Sequence, residues 1–176
     1  MVNRRLQAGL FLVVAAVAGF AGYYLSRASL NSPATEAAAQ KLMLASLTDL
    51  NGKVQALSQW QGKTLVVNYW ATWCPPCREE VPALKKIQAK YASNGVQVVG
   101  IALDNAAKVR EYAIEMNIDY NLLIAGAEIL SASKELGNRA GVLPYTVVLN
   151  RAGQVAYTHA GALTEATLDA VLKPLL

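Results

Sequence analysis

The chain has 176 residues, a formal net charge of +4, a hydrophobic fraction of 54%, two cysteines and one histidine. This length suits one globular domain with an accessory segment, and the small basic excess, without a basic run or a stripe of interleaved aromatics, gives no indication of nucleic-acid binding. Two cysteines and one histidine also argue against a zinc site, which needs about four ligands. No metal or cofactor is expected.

The N-terminal segment is strongly apolar. No charged residue occurs from position 6 to 26, while Arg4 and Arg5 precede this run and Arg27 follows it. As a helix the run is roughly 30 Å long, about the thickness of the hydrocarbon core of a bilayer. We therefore expect residues 1–26 to form a single-pass membrane anchor. The positive charges place its N-terminus in the cytoplasm and the rest of the chain outside.

A cleaved signal peptide is the alternative, with small-residue sites at 19–21 or 37–39. We favour a retained anchor because the apolar run is longer than a usual signal core. Residues 27–40 are small and polar, and Asn31-Ser-Pro33 is expected to break any continuation of the apolar helix. This pattern predicts a flexible tether over 27–40, followed by a folded domain over 41–176.

The folded part alternates strand and helix patterns. The predicted elements are a hairpin over 41–57 that turns at Asn51-Gly52, strands over 64–70, 97–102 and 120–125, helices over 76–93, 106–116 and 127–136, a hairpin of strands 146–149 and 155–159, and a helix over 165–172 that Thr164 caps. This order predicts an α/β fold with a mixed central sheet flanked by helices.

Both cysteines lie where a buried-strand pattern changes to a helix pattern, in Trp73-Cys-Pro-Pro-Cys77. The unpaired N–H groups and the dipole at a helix N-terminus favour a thiolate, so Cys74 is expected to be the exposed attacking sulfur. Cys77 lies one turn deeper and is expected to close or resolve a disulfide. Haem attachment is disfavoured because Arg78, not histidine, follows Cys77.

Two segments resemble the TlpA/ResA-like family of membrane-anchored thioredoxin-fold proteins. Residues 67–82, VNYWATWCPPCREEVP, are similar to the active-site segment of that family, and residues 141–155, GVLPYTVVLNRAGQV, to its cis-proline segment. The similarity runs from about Leu42 to the C-terminus. It implies a thioredoxin-like domain with an N-terminal hairpin and a central strand–helix insert, preceded by one transmembrane helix.

The resemblance also implies roles for residues outside the cysteine pair. Glu80, one turn after Cys77, corresponds to a glutamate that assists proton transfer at the second cysteine. Asn68 stands where ordinary thioredoxins have an aspartate; a neutral amide is not a base, so we interpret it as a hydrogen-bonded structural residue. Pro144 is expected to be cis, and the bulky Tyr145 beside it to narrow the substrate groove. The expected substrate-contacting residues are Trp73, Pro75, Pro76, Leu143 and Pro144.

The Pro75-Pro76 dipeptide bears on the direction of the reaction. It supplies neither N–H groups nor charge to stabilise the Cys74 thiolate, so a thioredoxin-like thiol with a pKa of about 7 and a reducing role are predicted. The alternatives are a disulfide oxidant of the DsbA type, which a pKa near about 4 would favour, and a Cu(I)-binding metallochaperone that uses both cysteines. A peroxidase is disfavoured because its cysteine motif is missing.

The resemblance suggests partners as well. The expected substrates are disulfide-containing exported proteins, with apocytochrome c and oxidase-assembly proteins as candidates. Because the extracytoplasmic compartment supplies no reducing buffer, a membrane thiol-transfer protein is expected as the electron donor. The predicted location is the inner membrane, with the catalytic domain in the periplasm or its extracytoplasmic equivalent.

Overall fold

A computed structural model of the chain describes residues 11, 13–15, 17–20 and 32–176. The described residues between 11 and 20 are helical and exposed. The remainder of the predicted anchor, and the tether as far as residue 31, lie outside the described residues. Within the described part of the chain, no helix combines the length and the hydropathy that crossing a bilayer requires.

The second half of the predicted tether is a helix. Helix α1 spans Pro33–Leu44; Ser32 caps it by accepting the backbone N–H of Thr35, and Pro33 occupies its first turn. A proline at the first helical position is favourable because its missing N–H has no partner there in any case. Ser32-Pro33 therefore starts a new helix, and positions 33–40 are helical where the sequence predicted a flexible tether. Four buried side chains dock α1 onto the domain: Ala38, Ala39, Leu42 and Met43.

One seven-stranded mixed sheet organises the domain. Its strands are β1 (Ser46–Asp49), β2 (Val54–Ala56), β3 (Thr64–Trp70), β4 (Val96–Ala102), β5 (Asn121–Ile124), β6 (Tyr145–Leu149) and β7 (Val155–Ala160), in the spatial order β2-β1-β5-β4-β3-β6-β7. β3, β4 and β5 are parallel and the other pairs are antiparallel. Every residue of β3 and β4 is buried, as expected for central strands covered on both faces.

Helices cover both faces of the sheet. The remaining α-helices are α2 (Pro75–Tyr91), α3 (Ala106–Glu115), α4 (Ala127–Glu135) and α5 (Glu165–Leu172), the last capped by Thr164 as predicted. Side chains of α2, α3 and α5 share one apolar core with both cysteines, and those of α1 and α4 share a second core on the other face. The mixed α/β sandwich and the βα insert between β4 and β6 agree with the sequence prediction.

The parallel register places the active-site segment at one edge of the sheet. Trp70, the last residue of β3, pairs with Ala102, the last residue of β4. The loops that follow these two strands therefore leave the sheet side by side. The antiparallel β6 begins at the same edge, because Tyr145 pairs with Tyr69. Three loops from distant parts of the chain converge at this edge.

Candidate active site

Cys74 and Cys77 form a disulfide at the start of α2. Cys74 is the N-cap residue, Pro75 is the first helical residue, and the two Cα atoms lie 5.3 Å apart. The three-residue spacing within one helical turn brings the two side chains to the same side of the helix. The strand–Cys-x-x-Cys–helix arrangement predicted from the sequence is confirmed.

Few backbone donors remain for a thiolate at this helix start. The Cys74 N–H donates to Ala71, and the Arg78 N–H donates to the Cys74 carbonyl. Pro75 and Pro76 have no N–H. Of the N–H groups in the first turn, that of Cys77 alone is available to a Cys74 thiolate. The helix start therefore offers little backbone hydrogen bonding to a thiolate at Cys74.

Cys74 lies at the floor of a shallow depression and is less accessible than predicted. The residue is 4% exposed, whereas the sequence suggested an exposed sulfur. The depression has a volume of about 550 Å³, and its lining carries no charged side chain: Trp73, Cys74, Pro75, Pro76, Leu103, Gly141 and Leu143. Packing in the core buries the disulfide, and Cys74 meets the surface in this depression.

The structure brings most of the predicted substrate-contacting residues together. Trp73, Pro75, Pro76 and Leu143 all line the depression. Trp73 is 65% exposed, whereas Trp70 is buried in the core, as expected for each. The Leu143–Pro144 bond is cis, also as expected. Pro144 itself is buried and does not line the depression.

Tyr145 does not narrow the groove, contrary to the sequence expectation. Its side chain is buried in the core on the α1 side of the sheet, and its hydroxyl donates to the Leu136 carbonyl oxygen at 2.8 Å. Its ring packs against Tyr69, with the ring centroids 6.3 Å apart. Successive strand residues point to opposite faces, which turns Tyr145 away from the cysteines.

Glu80 is a buried carboxyl in the same helix as the cysteines. It is 1% exposed; Oε1 accepts the Asn68 amide at 2.7 Å and Oε2 accepts the Leu163 backbone N–H at 2.9 Å. Burial raises the pKa of Glu80 to about 7, although the hydrogen bonds from Leu163 and Asn68 oppose this rise. A carboxyl with this pKa exchanges protons near neutral pH, which suits acid–base catalysis.

Asn68 is more than a satisfied amide in a buried strand. In addition to Glu80, it donates to the Thr146 hydroxyl at 3.1 Å. Thr146 lies opposite Asn68 in the β3–β6 register. Asn68 is hydrogen-bonded as predicted, but its partners are 12 and 78 residues away along the chain, beyond the reach of a local sequence pattern.

Three further residues near the cysteines were not singled out from the sequence. Leu103 follows β4 and lines the depression. Asp104, next to it, accepts hydrogen bonds from the Thr72 hydroxyl and, at 3.3 Å, from the Thr72 N–H. The carboxyl ends of adjacent parallel strands meet at one edge of a sheet. The positions of Thr72 after β3 and of Leu103 and Asp104 after β4 were therefore an available signal.

The chain matches the Redoxin family model over residues 31–172. It belongs to the redoxin family. Among curated relatives, the thiol-disulfide oxidoreductase ResA of Halalkalibacterium halodurans is 29% identical over 125 residues, covering 70% of this chain and 68% of the relative. The thioredoxin-like protein YneN of Bacillus subtilis is 31% identical over 128 residues, covering 70% of this chain and 72% of the relative.

Solved structures agree with this assignment. A thiol:disulfide interchange protein of the thioredoxin family from Chlorobium tepidum is 30% identical to this redoxin, covers 74% of this chain and 92% of its own, and superimposes with a TM-score of 0.67. A secreted thiol-disulfide isomerase from Corynebacterium glutamicum shares the fold with a TM-score of 0.70 at 24% identity, covering 76% of this chain and 84% of its own. This redoxin is a TlpA/ResA-like thiol-disulfide oxidoreductase with a thioredoxin-like fold, and Cys74 and Cys77 form its Cys-x-x-Cys pair.

Proposed function

We propose that this redoxin is an extracytoplasmic disulfide reductase that acts on exported proteins through the Cys74–Cys77 dithiol. The observation that carries the proposal is the position of the pair at the floor of an uncharged depression beside the cis Leu143–Pro144 bond. An exposed Trp73 and apolar walls suit a partner segment whose cystine is flanked by apolar residues. The same lining gives no charge for recognition of a small anionic thiol.

The reaction is an exchange of two thiols for one disulfide. The Cys74 thiolate attacks one sulfur of the substrate cystine, forming a mixed disulfide and releasing the first substrate thiolate, which takes up a proton. Cys77 then loses its proton and attacks the Cys74 sulfur, which releases the second substrate thiolate. In balance, two electrons and two protons pass to the substrate, and the Cys74–Cys77 disulfide forms.

Glu80 serves the second step of this sequence. Attack by Cys77 requires removal of its proton, and Glu80 lies one helical turn further along α2. Both residues are buried, so bulk water is a poor proton acceptor at this position. A carboxyl whose pKa is raised by burial to about 7 accepts a proton at neutral pH and returns it easily.

Other features support the reducing direction and the location. The proline-rich helix start leaves one free backbone N–H for the Cys74 thiolate, whereas a strong oxidant needs a strongly stabilised thiolate. The apolar run preceded by two arginines supports a single-pass anchor with a cytoplasmic N-terminus. Re-reduction of the Cys74–Cys77 disulfide outside the cytoplasm then requires a membrane thiol-transfer protein as electron donor. Apocytochrome c and oxidase-assembly proteins are the candidate substrates, by resemblance to the family.

A trapping experiment tests the proposal. In the full-length Cys77→Ser variant, the mixed disulfide on Cys74 cannot be resolved, so partners should accumulate as adducts that reducing agents release. Diagonal electrophoresis and mass spectrometry identify them, and the Cys74→Ser variant is the matched control that should trap none. Adducts should be disulfide-containing exported proteins. An absence of adducts in cells where the wild-type pair cycles between its redox states would contradict Cys74 as the nucleophile.

A further inference from the structure

A buried chain of hydrogen bonds crosses the domain beneath the cysteines. It runs from Thr146 in β6 through Asn68 in β3 to Glu80 in α2, and from Glu80 to the backbone of Leu163 just before α5. All four residues are buried. The chain therefore connects four separate parts of the fold, including the strand that begins directly after the cis bond at Pro144.

Asn68 is fixed at the centre of this chain. Its amide nitrogen has two protons, and the two hydrogen bonds, to Glu80 at 2.7 Å and to Thr146 at 3.1 Å, account for both. Because the amide does not titrate, Asn68 offers Glu80 a donor in every protonation state. The backbone N–H of Leu163 does the same for the second carboxyl oxygen. The carboxyl group is thus held at both oxygens by donors that do not change with pH.

We propose that Asn68, itself held by Thr146, is a positioning residue that orients the Glu80 carboxyl for proton exchange with Cys77. This inference rests on the proposed function, in which Glu80 takes the Cys77 proton. Without the Asn68 donor, Oε1 would lose the contact that sets the rotation of the carboxyl. The fixed orientation matters because a proton acceptor acts only within hydrogen-bond reach of its donor.

The surroundings of Glu80 contain few groups that affect its charge. Burial raises its pKa to about 7, and the donors Leu163 and Asn68 lower it. Tyr120 interacts electrostatically with this carboxyl. The pKa of the Tyr120 phenol is raised mainly by burial and, to a smaller extent, by the charge of Glu80. Cys77 lies one turn earlier in α2, and within the described part of the chain no lysine or arginine is among the causes that move the Glu80 pKa. Loss of the Asn68 donor should therefore raise the Glu80 pKa further.

The resolving step gives a direct test. Reduced full-length protein in detergent micelles is mixed with an aromatic disulfide that releases a coloured thiolate, so that attack by Cys74 and resolution by Cys77 appear as two successive phases. In the wild type the rate of the second phase should decrease as the pH is lowered. The midpoint of this decrease should lie near the Glu80 pKa of about 7. Asn68→Ala should move this midpoint up by about one pH unit and slow resolution roughly fivefold at neutral pH.

Two more variants separate positioning from general damage to the fold. Thr146→Val removes the acceptor that holds the Asn68 amide, keeps the side-chain shape, and should move the midpoint in the same direction by a smaller amount. Gln97→Ala is the matched control. It removes another buried side-chain amide, which donates to Gln88 and to the Val98 carbonyl. Gln97 pairs with Leu65 near the opposite end of β3, so this variant should leave the midpoint unchanged.

The outcomes distinguish this inference from the proposed function. Suppose that Glu80→Gln abolishes the decrease of the resolution rate in acid (the acid limb), while Asn68→Ala and Thr146→Val leave its midpoint unchanged. Asn68 then does not position Glu80, and the inference alone is overturned. If Glu80→Gln leaves the acid limb intact, the proposed role of Glu80 fails and the inference fails with it. If Asn68→Ala does not fold, the Thr146→Val midpoint decides: an unchanged value overturns the inference, and an upward shift supports it.

Discussion

The carboxylate of Asp104 ties the loop before Cys74 to the loop after β4. It accepts hydrogen bonds from the Thr72 hydroxyl and, at 3.3 Å, from the Thr72 backbone N–H, two residues before Cys74. Partial burial pushes the pKa of Asp104 upward, but hydrogen bonds from Thr72 and Asn105 outweigh it and hold the pKa below the ordinary value. The contact therefore favours the ionised carboxylate and positions the start of the active-site segment.

Asp104→Ala should destabilise the oxidised protein. Loss of these hydrogen bonds is expected to lower the free energy of unfolding by about 1–2 kcal/mol at neutral pH. A carboxyl whose folded pKa is depressed stabilises the fold above its unfolded pKa of about 3.9, and this contribution disappears as pH falls through the lower folded value. The difference between variant and wild type should thus shrink in strong acid. Urea unfolding across pH measures it.

The exposed Asp119 provides the control for this prediction. Asp119→Ala should stay within about 0.5 kcal/mol of the wild type, as surface substitutions usually do. Equal losses in the two variants would show that the Thr72–Asp104 contact contributes no specific stability.

Glu80 should make stability depend on pH in the opposite sense. Its folded pKa of about 7 lies above the ordinary value of 4.5, so folding disfavours the ionised form. The cost is absent below about pH 4 and grows as pH rises between the unfolded and the folded pKa. Above the folded value it reaches on the order of 3 kcal/mol. The oxidised wild type should therefore lose stability from pH 5 to pH 8.

Glu80→Gln should flatten this pH dependence, because the amide does not titrate. It cannot accept both hydrogen bonds, so it should be slightly less stable than the wild type in acid. Urea unfolding of the oxidised proteins at several pH values is the measurement, with Glu79→Gln, an exposed neighbour in α2, as the control. Parallel stability curves for wild type and Glu80→Gln would contradict the raised pKa.

Helix α1 should contribute to the stability of the domain. Leu42 is 1% exposed within the core, whereas Leu44 on the same helix is 67% exposed. Leu42→Ala is expected to cost about 2–5 kcal/mol through lost burial and the cavity that remains. Leu44→Ala should change stability by less than about 0.5 kcal/mol. Similar urea midpoints for both variants would mean that this segment is not docked in solution.

The residue between Pro75 and Cys77 should set the redox potential. Pro76→His introduces a group that is partly cationic at neutral pH beside the Cys74 thiolate, which stabilises the reduced form. The potential should become less negative by on the order of tens of mV, and the Cys74 pKa should fall below about 7. Equilibration with a glutathione buffer and thiol titration measure the two quantities, with wild type as reference. A more negative potential would contradict the interpretation that few backbone N–H donors stabilise the Cys74 thiolate at this helix start.

The chemistry at the cysteine pair was readable from the sequence because it is local. Cys74 and Cys77 are three residues apart at a strand-to-helix junction, and helix geometry alone brings them together. The β-branched and aromatic composition of 64–70 also identified the central strand correctly. The cis bond before Pro144 followed from resemblance, since the local sequence permits either isomer.

Tertiary structure decided what depends on neighbours distant in sequence. Ser32-Pro33 is compatible with either a helix start or a break, and the docking of Leu42 in the core selects the helix. The sequence also allowed Glu80 to be a solvated acid near a helix start, but the Asn68 amide in β3 and the backbone N–H of Leu163, 83 residues away, bind its carboxyl in the core. Sequence thus determined which two sulfurs form the disulfide. Packing decided how deeply the disulfide lies and gave Glu80 its raised pKa, because burial and hydrogen-bond partners exist only once the chain has folded.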